Sequence, residues 1–214
     1  NPDWVLSARQ LDLDLDAGVG VAEGAVLRFM DVPILSLPTL SFPLSDQRKS
    51  GWLPPSQAIT TGSGFELAVP YYWNIAPNRD ATIAPALSTR RGFAVNGEFR
   101  YLEPAFAGRL NLDLLPYDQV AKDTRYWLTF DHQGRFSDSA RYSATVERVS
   151  DDEWWNDFPR RHLSLTPRLL PLVVQAEQDL GASALGSGVY ARTQRWQVLQ
   201  NPNTMQAPFD RAMQ

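Results

Sequence analysis

The sequence predicts an all-β chain whose strands follow one another as an antiparallel meander. Apolar and polar residues alternate along much of the chain, turn-forming residues punctuate these runs, and helical periodicity is almost absent. A period of two places alternate side chains on opposite faces of a strand, so the two faces of each strand meet different environments. No stretch approaches the roughly 18 consecutive apolar residues that a membrane-spanning helix needs.

The first element is the most regular alternation in the chain. Within 11–16, leucine and aspartate alternate three times, and Ala17-Gly18 ends the run. This pattern predicts a strand in a one-sided sheet. Before residue 45 the apolar runs are shorter, and this first part ends with the proline-rich run 32–43, which we interpret as a domain junction; the second part follows from residue 45.

The second part contains the later strands. Turn signals at 77–80, 90–92, 133–134, 151–152 and 181–183 divide it into runs that are each roughly as long as a transmembrane strand, which needs about 9–11 tilted residues. Consecutive hairpins are the simplest topology for this spacing. We expect strands at about 57–76, 79–90, 92–103, 107–116, 123–133, 136–149, 162–178 and 182–200.

Aromatic residues lie near many of the predicted strand ends. Such positions are typical of the interface belts of transmembrane barrels, but tryptophan also anchors soluble β-cores, and position alone favours the two equally. These residues are Trp52, Tyr71, Tyr72, Trp73, Tyr117, Tyr126, Trp127, Trp154 and Trp155.

Composition excludes several classes of protein. The net charge of -4 argues against nucleic-acid binding, and the absence of cysteine excludes a disulfide framework or thiolate metal site in this stretch. A mean hydropathy of -0.31 does not exclude a membrane barrel, because a spanning strand exposes only every second residue to lipid. The chain starts at Asn1 without an export signal, so we expect both ends to be fragment ends.

No metal or cofactor site is predicted. Asp12, Asp14 and Asp16 resemble the start of a calcium loop, but Ala17 stands where that loop needs glycine, so we expect solvated carboxylates on a strand. His132 and His162 lack a second ligand at motif spacing, and we expect surface or lumen positions for both.

No enzyme chemistry is predicted either. The glycine clusters at 62–64 and 186–188 lack the residues of a nucleophile elbow or phosphate loop, so they indicate turns or smooth barrel-wall positions. Four carboxylates could pair as acid and base, but alternation places each beside arginine or asparagine, which favours a hydrated charged face. These four are Glu98, Asp113, Asp131 and Glu147.

One long segment resembles a known family. Residues 67–85, LAVPYYWNIAPNRDATIAP, closely resemble a signature of the lipopolysaccharide-assembly protein LptD family, also called organic solvent tolerance protein. Further landmarks appear in family order, including 46–55, 90–92, 97–102, 149–151 and 156–158. The resemblance covers 1–160 well and the remainder loosely.

The resemblance implies an architecture, a location and partners. Residues 1–44 would be the end of a periplasmic β-jellyroll, and 45–214 would be the first strands of a large transmembrane β-barrel in the outer membrane. The chain would then belong to a translocon that inserts lipopolysaccharide into the outer leaflet. The implied partners are lipopolysaccharide, outer-membrane lipid, the lipoprotein plug LptE and the periplasmic bridge protein LptA.

Lipopolysaccharide needs an apolar slot for its acyl chains and a wet route for its anionic head. In the first part, apolar side chains could line the slot, although ordinary sandwich packing explains them equally well: Leu11, Leu13, Leu15, Val19, Val21, Leu27 and Phe29. In the second part we expect six polar side chains to face the lumen: Asn96, Glu98, Arg100, Arg109, Asn111 and Asp113.

Prolines in the first two barrel strands suggest a lateral gate. Proline cannot donate to a β-ladder, so Pro55 would weaken the contact of the first strand with the last, and Pro70 would loosen its neighbour. We therefore hypothesise that Pro55 and Pro70 form part of a gate from lumen to membrane.

Two other functions fit the alternation. A passive porin-like or structural barrel would share the alternation and the aromatic belts, but not the signature at 67–85. A soluble β-sandwich could bind glycans through exposed tryptophans. Detergent dependence separates this last class from both barrels.

Overall fold

The chain folds into two antiparallel β-sheets. The computed structural model describes residues 4–16, 18–44, 48–158, 169–181 and 187–200. These residues form one sheet of four strands and one of eleven, which confirms the predicted all-β class. No helix in this part of the chain is both long and apolar enough to cross a membrane.

The first sheet is built around one long central strand. Strands β1 (Trp4–Ser7) and β2 (Gln10–Asp14) follow one another along one edge of β3 (Val19–Phe29), and β4 (Val32–Pro43) lies along the other. The turn between β3 and β4 has left-handed backbone at Met30 and Asp31, with φ of 46° and 66°. Two consecutive residues with positive φ are typical of the tight turns that match the twist of a hairpin.

The second sheet begins with a hairpin whose two strands are both interrupted, and it continues as a regular meander. From β9 onwards each strand pairs with the next along the chain, as predicted. The strands are β5 (Gly51–Trp52), β6 (Ser56–Thr60), β7 (Gly64–Ala68), β8 (Tyr71–Ala76), β9 (Arg79–Ser88), β10 (Gly92–Leu102), β11 (Phe106–Asp118), β12 (Asp123–Ser137), β13 (Ala140–Val149), β14 (Leu169–Asp179) and β15 (Gly188–Val198), and one short helix, α1 (Trp154–Asp157), follows β13.

The predicted single strand at 57–76 is wrong. The chain reverses at 61–63, where Ser63 N–H donates to Thr60 Oγ1 at 3.0 Å and Gly64 has a φ of 73°. Glycine adopts this left-handed conformation without steric cost, so it allows a turn where alternation suggested a continuous strand. Of the two interpretations of the glycines at 62–64, the turn is correct.

The other predicted strands agree with β9–β13 to within about four residues at each end. Residues 162–168 and 182–186 of the last two predicted strands, including His162, lie outside the described residues, as does the glycine cluster at 186–188 in part. The predicted domain boundary falls beside 45–47, which also lie outside them. The division into a jellyroll part and a barrel part therefore stays a prediction.

The two ends of the second sheet differ. Short turns at 77–78, 103–105 and 138–139 lie at the end that we call the junction end. There Arg48, which precedes β5, donates to the Pro77 carbonyl oxygen at 3.3 Å, and its neighbour Lys49 donates to the carbonyl oxygen of Gly18, beside β3 of the first sheet, at 3.3 Å. The opposite end, which we call the distal end, carries the turns 61–63, 89–91 and 119–122 and the segment 150–158.

Register gives the second sheet one polar and one apolar face. Directly paired residues project to the same side of a sheet. On β10 and β11, Asn96 pairs with Asp113, whereas Val95 pairs with Leu114 on the other side. The same separation holds from β8 to β13, so the alternation predicted the two faces correctly. We call these the polar face and the apolar face.

A small buried core lies at the distal end. Leu115 and Val149 on the strands pack with Trp154 and Phe158 of the segment after β13. Trp154 is completely buried, so of its two interpretations, an interface belt or a core anchor, the core anchor is correct. The segment folds back onto the sheet because it buries two aromatic rings there.

Candidate lipid path

An apolar cavity lies between the two sheets. Its volume is about 450 Å³, within the range of ligand-binding pockets. The first sheet contributes side chains from β1, β3 and β4, and the second sheet contributes β5, the residues that follow it and the residue after β7. The lining residues are Leu6, Ala25, Leu27, Leu37, Leu40, Phe42, Trp52, Leu53, Pro54, Pro55 and Val69, all of them apolar.

The structure does not bring the seven predicted slot residues together. Leu27 lines the cavity. Val19 and Val21 pair with Asp14 and Asp12, so they lie on the face of the sheet that carries the aspartates. Leu11, Leu13 and Leu15 are more than half exposed, and Phe29 adjoins the turn after β3. Acyl-chain contact by these residues stays a prediction.

The sequence did not reveal most of the actual lining residues. Leu37, Leu40 and Phe42 belong to the run 32–43, which we interpreted only as a junction. Phe42 pairs with Gly20 across β3 and β4, and its ring covers this glycine. A side chain on residue 20 would occupy the space of the ring. A glycine paired with an aromatic residue was therefore the sequence signal that could have indicated this cavity wall.

The prolines of the predicted gate lie where both strands of the first hairpin are interrupted. Leu53, Pro54 and Pro55 separate β5 from β6, and Val69 and Pro70 separate β7 from β8. Leu53 N–H donates to the Pro70 carbonyl oxygen at 2.8 Å, so the two interruptions lie side by side. Pro55 also lines the cavity.

All six predicted lumen residues lie on the polar face. Asn96, Glu98 and Arg100 of β10 pair with Asp113, Asn111 and Arg109 of β11, respectively. Glu98 forms ion pairs with Arg100 and Arg109 at 3.4 Å each. Arg100 also donates to Asp80 at 2.8 Å. The four carboxylates considered as acid and base lie on this face, as predicted, and whether it lines a lumen stays a prediction.

His132 lies on the apolar face of the second sheet. Tyr101 Oη is 2.5 Å from His132 Nδ1, and Tyr142 Oη is 3.3 Å from Nε2. Register brings these groups together, because Tyr101 pairs with Gly108, which pairs with His132. The two phenol rings extend over Gly108 and Gly134. The result is a hydrogen-bonded aromatic row across β10–β13 near the junction end.

A buried ion network at the distal end was not predicted. Arg125 donates to Asp151 at 2.7 and 2.8 Å, to Asp157 at 2.5 Å and to Asp118 at 3.2 Å. Arg91 donates to Asp118 at 2.6 Å and contacts Asp157 at 3.1 Å. Both guanidinium groups lie over the Phe158 ring.

The Asp151 carboxylate of this network is held in its charged form. Burial alone would raise the pKa of Asp151, but hydrogen bonds from Arg125 and Ser150 outweigh burial and hold its pKa below the usual aspartate value. Within the described residues no group of histidine, aspartate and glutamate side chains could hold a metal ion.

The fold and this site define a class of protein. A long antiparallel meander with one apolar and one polar face is the strand pattern of outer-membrane β-proteins.

Comparison with known proteins agrees with this class. A family model described as LptD protein matches residues 21–167. The chain is 44% identical over 224 residues to the LPS-assembly protein LptD of Acidovorax sp. (strain JS42) and 43% identical over 220 residues to that of Polaromonas sp.. Both matches cover 100% of this chain, but only 27% and 26% of the relatives. The corresponding protein of Cupriavidus necator is 47% identical over 160 residues, covering 75% of this chain and 20% of the relative.

The chain belongs to the LptD family, which confirms the resemblance seen in residues 67–85. It spans about a quarter of the length of the curated relatives that it matches.

Proposed function

We propose that this chain is the part of an outer-membrane translocon at which lipopolysaccharide leaves a periplasmic jellyroll and enters the outer leaflet. The observation that carries the proposal is the cavity of about 450 Å³, because both sheets contribute to its walls. A path from one domain to the other must cross such a junction, and this one is lined by apolar side chains only.

The lining of the cavity suits acyl chains. Removing each methylene group from water is favourable by about 0.8 kcal/mol, so an entirely apolar passage keeps the tails away from water during transfer. It offers no charged side chain to a phosphorylated sugar head. The head would instead follow a hydrated polar face, where Arg100 and Arg109 are both partly exposed.

The interrupted hairpin supports a lateral gate at Pro55 and Pro70. Between β5 and β8 only Gly51–Tyr72 and Trp52–Tyr71 pair, and neither proline can donate a backbone hydrogen bond. A seam that begins with such a strand has fewer ladder bonds than a continuous one. If β6 pairs with the last strand of the barrel, this seam is where the barrel opens sideways.

The remaining parts of the proposal concern location and partners. The first sheet would lie in the periplasm and the distal end of the second sheet would face the cell exterior, with the apolar face against outer-membrane lipid. We also propose LptE as the plug of the barrel and LptA as the bridge to the jellyroll.

Photo-crosslinking tests the proposed path. A photoreactive residue at Leu37 or Leu53 in the full-length protein, expressed in cells, should crosslink lipopolysaccharide because both positions line the cavity. The matched control is the same residue at Met30, an exposed apolar side chain of the first sheet that is not among the lining residues.

The competing functions give other results. A passive porin-like barrel predicts no crosslink above the Met30 level at either position, although the protein would still require detergent. A soluble glycan-binding sandwich predicts neither crosslinking nor detergent dependence. Equal crosslinking at Leu37, Leu53 and Met30 would also show that lipopolysaccharide does not pass specifically through the cavity.

A further inference from the structure

We infer that Arg91 is a positioning residue: it holds the distal end of the first hairpin, β6–β7, against the rest of the second sheet. The inference rests on the proposed function, since the hairpin contains the seam strand of the lateral gate. It extends that function by naming what keeps the distal half of this hairpin in place while the middle is interrupted by prolines.

Few ladder pairs attach β6–β7, the distal half of the first hairpin, to the sheet, whereas β8 of the other half pairs with β9 at five positions. Within the described part of the chain, β6 pairs only with β7. Strand β7 pairs with β9 at three positions, where Glu66, Leu67 and Ala68 face Ser88, Leu87 and Ala86, respectively. By comparison, β9 and β10 pair along ten positions. The position of β6–β7 against the sheet therefore depends on further contacts besides these three ladder pairs.

These contacts come from the turn between β9 and β10. The Gly62 carbonyl oxygen accepts a hydrogen bond from Arg91 Nε at 3.2 Å, and the Thr61 carbonyl oxygen accepts one from Arg90. The Ser63 carbonyl oxygen accepts from Ser88 Oγ at 2.5 Å and from Arg90 N–H at 3.2 Å. All three carbonyl groups of the hairpin turn are thus held by one neighbouring turn.

Arg91 differs from the other donors because it is itself fixed. Its side chain is 3% exposed, its two terminal nitrogens contact Asp118 at 2.6 Å and Asp157 at 3.1 Å, and its guanidinium lies 4.8 Å from the centre of the Phe158 ring. The three nitrogens therefore contact three separate segments of the chain. A planar guanidinium can satisfy this geometry, whereas a lysine ammonium has only one nitrogen.

This arrangement couples the seam hairpin to the segment 150–158. The segment supplies Asp157 and Phe158, and Arg125 holds the same aspartate from the other side at 2.5 Å. The hairpin is anchored at its distal turn and interrupted at the level of its prolines. If the first hairpin separates from the sheet, the separation should therefore begin at the prolines, while the distal turn 61–63 stays attached.

Hydrogen exchange of the full-length protein in its native complex tests the role of Arg91. Arg91→Lys keeps the charge but cannot contact Asp118, Asp157 and the Gly62 carbonyl at once. We expect the amides of β6 (Ser56–Thr60) to exchange about tenfold faster, as expected for loss of one hydrogen bond to a charged group. Arg141→Lys is the matched control, because Arg141 forms an exposed ion pair with Glu177 near the junction end.

Unchanged exchange in β6 of Arg91→Lys, or an equal rise in Arg141→Lys, would overturn the inference. If Arg91→Lys does not assemble, Asp157→Asn provides the second test, because it removes one anchor of Arg91 and should accelerate the same amides by a smaller factor. No acceleration there would also overturn it.

Failure of the gate has a different signature. Replacing Pro55 and Pro70 with alanine should slow exchange in the first hairpin, the opposite sign to Arg91→Lys. If the proline variant delivers lipopolysaccharide normally while Arg91→Lys still accelerates exchange in β6, the gate is wrong and the positioning role of Arg91 stands.

Discussion

Leu53 and Pro70 are joined by a backbone hydrogen bond of 2.8 Å at the level where both strands of the first hairpin are interrupted. On either side of this bond the pairing changes register, since Gly51 pairs with Tyr72 whereas Ser56 pairs with Ala68. One bond thus bridges a defect that crosses the whole hairpin. The cavity between the sheets opens beside it, with Leu53 and Pro55 in its wall.

The first prediction concerns this defect. Replacing Pro55 and Pro70 with alanine in the full-length protein restores two backbone donors, which should strengthen the seam and slow delivery of lipopolysaccharide to the cell surface. Cells should become more sensitive to large hydrophobic antibiotics. Surface lipopolysaccharide and antibiotic sensitivity are the measurements.

The control for this prediction is Pro104→Ala, because Pro104 is an exposed proline in a junction-end turn. Normal delivery by a double variant that is expressed and assembled at wild-type levels would show that these prolines do not form a gate.

Local sequence patterns were sufficient for the two faces of the second sheet. Alternation depends only on the period of the extended backbone, so residues such as Val95 and Asn96 could be assigned to opposite sides without knowledge of their partners. The interrupted hairpin was missed because Gly64 is compatible with both a strand and a turn. Its φ of 73° is decided by the neighbours that the turn brings together.

The buried ion network could not be predicted from the sequence. Arg91 and Asp118 are 27 residues apart, and Arg125 and Asp157 are 32 apart, so no short motif connects them. Each is unremarkable as a charged residue near a turn. They meet because alternate turns of a meander lie at the same end of the sheet, and register decides which side chains face each other there.

The second prediction tests the two faces. Val95→Arg would place a charge on the apolar face, where it should cost about 2–4 kcal/mol of folding free energy near the bilayer midplane. Asn96→Arg, on the adjacent residue and the polar face, should cost little. Denaturant unfolding of the purified proteins in detergent or bilayers gives both values, and similar costs at the two positions would contradict the assignment of the faces.

The third prediction concerns Arg125, whose side chain is 2% exposed and contacts three aspartates. Arg125→Met would leave these carboxylates without one of their cations in a desolvated site, which should cost about 3–5 kcal/mol. Arg135→Met is the control, because this arginine is exposed on the same strand and its guanidinium donates to the Pro104 carbonyl oxygen at 3.3 Å. Equal denaturation midpoints for the two variants would show that the network does not stabilise the fold.

The fourth prediction is a dependence of stability on pH. Because the pKa of Asp151 is lower in the folded protein, its stabilising contribution is complete above the unfolded aspartate pKa of about 3.9 and is lost as the pH falls through the folded value. Asp151→Asn should lower the thermal midpoint at neutral pH and flatten its decline below about pH 4. If the thermal midpoint of wild type and variant declines equally at acid pH, Asp151 does not cause the pH dependence. Asp138→Asn, in an exposed turn, is the control.

The last prediction concerns glycines under the aromatic row. A methyl group on Gly108 would lie 2.8 Å from the Asp131 carbonyl oxygen and would collide with the Tyr101 ring, whereas one on Gly97 would meet only the Leu112 carbonyl oxygen at 3.8 Å. Both glycines lie on the apolar face, so the difference between them is the Tyr101 ring that covers Gly108. Gly108→Ala must displace Tyr101, and the tyrosine then loses its hydrogen bond to His132.

We expect Gly108→Ala to destabilise the protein by about 1–3 kcal/mol, as overpacking of a tight site does, and Gly97→Ala to be nearly neutral. Denaturant unfolding measures the difference, and Tyr101→Phe separates the two effects, because it removes the hydroxyl group and keeps the ring. Tyr101→Phe should lose less stability than Gly108→Ala. If Gly97→Ala costs as much as Gly108→Ala, the ring over Gly108 is not the cause, and loss of glycine from a strand is the simpler explanation.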